Sequence, residues 1–189
     1  MKLIETRECA DCTACCTHIP IDQPDMVKLP NVECENLLET GGCRIYKTRP
    51  DTCAKWYCAW RYIPILSDGW RPDRMGVLVD FCNNDYPNDF SAKMGLNFLV
   101  LDKEKVFKSS EFARFIASQI DYGVQCVISY GPDPEQKATT AVLNFALKDA
   151  VVRRDKQAII QKLHWVLNEC ESARLQTFEI QEERLTLSS

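Results

Sequence analysis

Long hydrophobic runs are missing from this 189-residue sequence: the longest apolar stretches are about five residues, as in WYCAW at 56–60. A bilayer crossing needs ~20, so no membrane span is expected. The first residues, MKLIETREC, never develop the ~7–15-residue apolar core of a secretory signal, and the cytoplasm is the expected location. No excess of positive charge is present either. With 23 Lys+Arg against 27 Asp+Glu and a net charge of −4, the chain has no general attraction for nucleic acid or acidic membrane surfaces. The sequence also lacks GxSxG, HExxH, a Walker loop and the CxxxCxxC radical spacing, so none of those chemistries is indicated.

What it has instead is cysteine. Of eleven cysteines, eight fall in the first 58 residues and three in the remaining 131. In a reducing compartment such a density points to metal ligation rather than disulfides. The balance of 46% hydrophobic and 26% charged residues is that of a globular chain able to bury a core.

Composition changes near residue 60. Residues 1–60 are punctuated by Asp22, Pro24, Pro30, Gly41, Gly42 and Pro50, which predicts loops and short turns held together by staples rather than by a large core. Residues 61–74, with Pro64, Asp68-Gly69 and Pro72, read as a connection. Beyond it the pattern is α+β. MGVLVDF (75–81), GLNFLVLD (95–102) and GVQCVISY (123–130) are predicted strands, with Val124, Cys126, Ile128 and Tyr130 alternating onto one face. Phe112, Phe115, Ile116 and Ile120 after Ser110 predict an amphipathic helix. Thr139 or Thr140 is the expected cap of a helix to about Arg154. Asp155 is the expected cap of another, striped by Ile159, Leu163, Val166 and Cys170. The polar end QEERLTLSS is expected to fray. The expected architecture is therefore α+β: a cysteine-rich metal-binding module over 1–60, packed as one unit with a 61–189 part built of a small mixed sheet and about three helices.

The cysteines form an ordered constellation: Cys9, Cys12, Cys15 and Cys16 as CxxCxxCC, then Cys34, Cys43, Cys53 and Cys58. Thiolates two or three residues apart converge on one metal across a tight turn, and CxxCxxC with a remote fourth cysteine is also a spacing of cubane iron–sulfur clusters. Neighbours Cys15 and Cys16 diverge by about 100° on a helix. That indicates two centres sharing the segment, or one polynuclear site. Cys53 and Cys58, five apart, would diverge by about 140° on a helix. Trp56 and Trp60 would share a helical face and, with Tyr46 and Tyr57, wall a cluster from water or simply fill a small core. The adjacent cysteines and aromatic surround favour iron–sulfur, with zinc the alternative.

These residues resemble a known family. CxxCxxCC at 9–16, GCRIYKTRPDTC at 42–53 and the WYC that ends at Cys58 look like the bacterial CxxCxxCC (YkgJ-like) family of zinc- or iron-chelating proteins. The resemblance covers about residues 9–60 and extends toward RPDRMGVLVD (71–80). It implies that all eight cysteines are metal ligands. A more distant similarity is to the flagellin lysine N-methylases, whose cysteine-rich region is associated with an iron–sulfur cluster. This chain is short for such an enzyme and has no glycine-rich cofactor loop. It also lacks the CxxxCP ending of bacterial ferredoxins, which argues against a simple electron carrier.

Secondary candidates surround the motif. Gly41-Gly42 permits positive φ and a close approach to a metal or sulfide. Thr48 or Asp51 is the expected cap of a helix with Pro50 in its first turn. Arg49 is a donor to cysteine sulfur or backbone carbonyls, or a surface ion pair. Cys82 beside Asp80 and Asp85 is a structural cysteine, an extra ligand or a reactive thiol. Cys126 and Cys170 belong to the core, His18 is a weaker ligand than the cysteines, and His164 is a satisfied surface histidine. Two functional classes follow. One is an iron–sulfur protein, redox-active or part of a protein-modifying enzyme. The other is a structural zinc or metal-handling module with a binding role. Its partner would be a protein or small molecule, not nucleic acid; the residues assign neither a catalytic group nor an oligomeric state.

Overall fold

A computed structural model describes all residues except Pro87, Pro132, Glu135, Gln136 and 187–189, with side chains described to residue 173. The fold is α+β. Its main sheet has four strands in spatial order β3 (Val77–Asn83), β4 (Met94–Val100), β5 (Cys126–Tyr130) and β6 (Thr139–Val142). The sheet is mixed: β4 and β5 are parallel, and the two outer pairings are antiparallel. Parallel neighbours need a crossover, supplied here by α4 (Lys103–Lys108) and α5 (Ser110–Asp121). Helices α5, α6 (Leu143–Val152) and α7 (Lys156–Thr186) pack on one another and on β5.

Register explains the core. Val79, Phe98 and Ile128 stand side by side across β3, β4 and β5. Phe98 then meets Phe112 edge-on at 5.7 Å and Phe115 at 6.2 Å. Trp70 completes this aromatic group, 4.7 Å from Phe115, and its indole N–H donates to Glu111 at 2.8 Å. Residues 61–74 are thus turns, as expected, but they also supply the core with Leu66 and Trp70.

The cysteine-rich segment contains only short elements. These are α1 (Ala14–His18), a hairpin of β1 (Ile21–Gln23) and β2 (Met26–Lys28), and α2 (Asp51–Lys55), followed by the four-residue α3 (Pro72–Met75). It lies against β3, where Val77, Leu78 and Val79 are all buried. Successive strand residues point to opposite faces, so β3 is covered on both.

Several expectations need correction. The three expected helices are α5, α6 and α7, and the described residues add four shorter ones, α1 to α4. Thr139 and Thr140 do not cap a helix: they pair with Tyr130 and Ser129 in β6, and α6 starts at Leu143 without a side-chain cap. β-branched residues beside an open strand edge favour pairing over capping. Trp56 and Trp60 share no helical face, because α2 ends at Lys55 and Trp56 is extended, while Trp60 sits in a 3-10 turn. Neither Thr48 nor Asp51 caps α2, and Pro50 precedes it as the N-cap. The Thr52 N–H is instead met by the Asp25 carboxylate, 3.2 Å away, from the hairpin turn. Ser109 caps α5 by accepting from the Phe112 N–H, and Asp155 caps α7 as expected. The end QEERLTLSS is helical to Thr186; its side chains and residues 187–189 lie outside the described residues.

Phe98 is 0% exposed. Phe98→Ala is expected to cost about 3–5 kcal/mol, read as a lower urea midpoint with an unchanged slope.

Candidate metal centre

The segment is organised by cations that hold backbone carbonyls. Lys28, only 7% exposed, ends β2 with its ammonium among three of them: Thr17 O at 2.9 Å, Leu29 O at 3.1 Å and Val32 O at 2.7 Å. All three ammonium protons are therefore used. One side chain joins the helix that carries Cys16 to the loop that carries Cys34. Burial pulls the Lys28 ammonium down, while the neighbouring Cys34, Cys16 and Cys15 oppose this. Arg7 plays the same part elsewhere, donating to the carbonyls of Trp60, Ile63, Pro64 and Leu66.

Around these anchors the chain folds so that all eight cysteines of the constellation line one cavity of about 350 Å³. Cys82, Cys126 and Cys170 do not line it. Trp56, Trp60 and Leu78 of β3 supply apolar wall. Trp56 also hydrogen-bonds Asp80 on the same face of β3, and burial pushes that carboxyl up. Among the described residues, no three His, Cys, Asp or Glu side chains already stand as a formed metal-holding group. The thiols surround a space rather than meet at a point.

The thiols differ in environment. Cys15 and Cys16 share a hydrogen bond that raises Cys15 and lowers Cys16; burial adds to the first, and the charges of Lys28 and Arg49 to the second. Burial pushes Cys58 up to about 12, with Cys9 and Cys12 adding to it. Burial likewise raises Cys12, beside Asp73, and Cys53, beside Cys34, Cys16 and Cys43. Desolvated thiols of this kind resist ionisation singly, whereas a bound cation stabilises thiolates directly. Arg61 is placed to assist: its Nη1 lies 3.9 Å from Cys9 Sγ, and its buried Nε has no protein acceptor.

Other candidates resolve differently. Among the described residues, Arg49 donates to neither sulfur nor carbonyl; its guanidinium lies 4.0 Å over the Tyr46 ring and reaches the Tyr57 hydroxyl at 3.4 Å. Gly41 and Gly42 have φ of +84° and +88°. A Cβ on Gly41 would lie 3.3 Å from Asp11 O, so the close approach is to the CxxC loop. His18 is outside the cavity, donating from Nδ1 to Asn31 Oδ1 at 2.9 Å. His164 stacks on Phe107 at 3.9 Å. Cys126 and Cys170 are in the core. Cys82 is half-buried against Gly95, and burial with Asp85 and Asp80 nearby raises its thiol.

Sequence reasoning missed Lys28, Arg61 and Arg71. Arg71 lines the cavity and pairs with Asp11 at 2.8 Å and Asp73 at 2.7 Å. A signal for it was present: Arg-Pro-Asp occurs at both 49–51 and 71–73, each time entering a short helix. Lys28→Met keeps the stem and removes the donors. It is expected to lose at least the ~1.5–3 kcal/mol of one hydrogen bond to a charged group, measured by thermal unfolding, and an unchanged midpoint would refute the anchoring role.

No family model matches this chain, and neither a curated protein nor a solved structure matches it.

Proposed function

We propose that this chain is a metal-binding protein whose eight N-terminal cysteines hold iron–sulfur clusters in the cavity against β3. One observation carries the reading: eight of eleven cysteines, spread from Cys9 to Cys58 in sequence, line a single cavity, while the other three do not. Packing alone gives no reason for so selective a gathering of thiols.

The surroundings suit the group. Lys28, Arg49 and Arg61 bring positive charge to thiolates, and the buried Nε of Arg61 is a donor that a thiolate or sulfide would satisfy. Trp56, Trp60 and Leu78 lower the local dielectric, which tunes a cluster's potential. The resemblance of residues 9–60 to the CxxCxxCC family supports the same donor set. When bound, iron–sulfur supplies one-electron redox chemistry. The chain's own residues hold the group, offset its charge and limit water. We place the protein in the cytoplasm, where its thiols stay reduced, with a redox or protein-modifying role toward a protein or small-molecule partner.

Anaerobic purification followed by iron, zinc and acid-labile sulfide analysis tests this. A brown protein whose visible absorption bleaches on reduction is expected. A colourless chain with zinc and no sulfide would replace the reading with a structural zinc module, and a metal-free chain with cystines would end both. Cys126→Ser, in the core, is expected to retain the wild-type metal content.

A further inference from the structure

We infer that the eight thiols serve two separate four-thiolate centres, Cys9, Cys12, Cys15 and Cys58 in one and Cys16, Cys34, Cys43 and Cys53 in the other, joined through the Cys15–Cys16 peptide. This assignment rests on the metal reading above and specifies its ligand pairing.

Backbone hydrogen bonds draw the division. In the first group, the Cys12 N–H donates to Cys9 O at 2.8 Å, closing the first CxxC turn. Arg61 ties that turn to Cys58. Its backbone N–H donates to Cys58 O at 3.0 Å, and its Nη1 approaches Cys9 Sγ. In the second group, the Cys34 N–H donates to Cys16 O at 3.0 Å, the Leu37 N–H donates to Cys34 O at 2.9 Å, and Leu37 bridges to Cys43. Cys53 joins through the hairpin: its Sγ is 3.5 Å from Met26 Sδ, and Asp25 caps the helix that carries it. On the same strand as Met26, Lys28 clamps the loops of Cys16 and Cys34.

Cys15 and Cys16 are the point of separation. Both lie in α1, where neighbouring side chains leave the axis about 100° apart; their thiols still share a hydrogen bond, and beyond that contact Cys15 has Cys9 and Cys12 as neighbours while Cys16 has Lys28 and Arg49. Apart from the Cys15–Cys16 pair, where the two groups meet, the thiol neighbours divide the same way: Cys15 and Cys58 are each affected by Cys9 and Cys12, whereas Cys53 is affected by Cys34, Cys16 and Cys43. Four thiolates are a complete donor set for a tetrahedral divalent ion or for a cubane cluster. The extended stretch after α2 lets Cys53 and Cys58, only five residues apart, reach different centres.

The test uses the full chain, reconstituted anaerobically with ferrous iron and sulfide and, in parallel, with Zn²⁺ alone. Metal per folded chain is the readout. Cys12→Ser and Cys43→Ser are each expected to halve it. Cys12→Ser with Cys58→Ser should lose no more than Cys12→Ser alone, whereas Cys12→Ser with Cys43→Ser should lose all of it. Because substitution can unfold the segment, the unmutated chain gives a second readout. After a chelator removes half the metal, pulsed alkylation and intact-chain fragmentation should find four labels per stripped molecule, all within one group. Labels spread across both groups in one molecule, or complete metal loss from either folded single variant, would overturn the pairing while leaving the metal reading intact. A wild-type chain that binds neither metal would overturn both.

Discussion

Strand β3 must be covered on both faces, and the architecture follows from that requirement. It is the outermost strand of its sheet, a position that leaves backbone groups and side chains open to water unless something lies against it. On one face Val79 stands beside Phe98 of β4, which packs on Phe112 and Phe115 of α5. The cysteine segment provides the other through Leu78 and Trp56. A segment of turns with no extended core of its own is a poor cover unless it is fixed internally. Lys28 and Arg7 fix part of it by gathering carbonyls. The eight thiols line one cavity, and the metal proposed there would fix the rest.

Metal bound as proposed would couple binding to folding. Metal coordination to thiolates contributes free energy to whatever structure positions them. The cysteine segment meets the sheet at Leu78, so that contribution would reach β3. Burial makes Cys12, Cys53 and Cys58 reluctant to ionise alone. The cations at the cavity have divided duties. Arg71 is neutralised by Asp11 and Asp73, Lys28 is committed to carbonyls, and Arg61 retains a buried donor beside Cys9.

The parts of the fold that were legible in the sequence are those with a sustained period. Alternation in β3, β4 and β5 and the stripes of α5 and α7 reflect burial against a large core, and Asp155 caps where a polar side chain precedes such a stripe. The three-residue strands β1 and β2 are shorter than any period can reveal. α4 was unread because KEKVFK is mostly solvated. Thr139 and Thr140 could cap a helix or join a strand, and the free edge of β5 decided between them. At the cavity, the thiol set was legible from spacing, but its grouping was not, because the Cys16–Cys34 hydrogen bond spans a long loop. Lys28 looks like any surface lysine until its three acceptors are known. The Trp56–Trp60 spacing misled because α2 stops at Lys55, before either tryptophan.

The small hairpin is held at both ends by charge, with Asp25 in its turn against α2 and Lys28 at its base among carbonyls. Two strands of three residues have little independent stability. The Asp25 contact is exposed, while the Lys28 contacts are largely shielded from solvent. Dissolved ions screen the first much more than the second. Rising ionic strength therefore loosens the hairpin from its tip, freeing the start of the helix that carries Cys53 before it disturbs the loops of Cys16 and Cys34. Salt acts on one side of the cavity first.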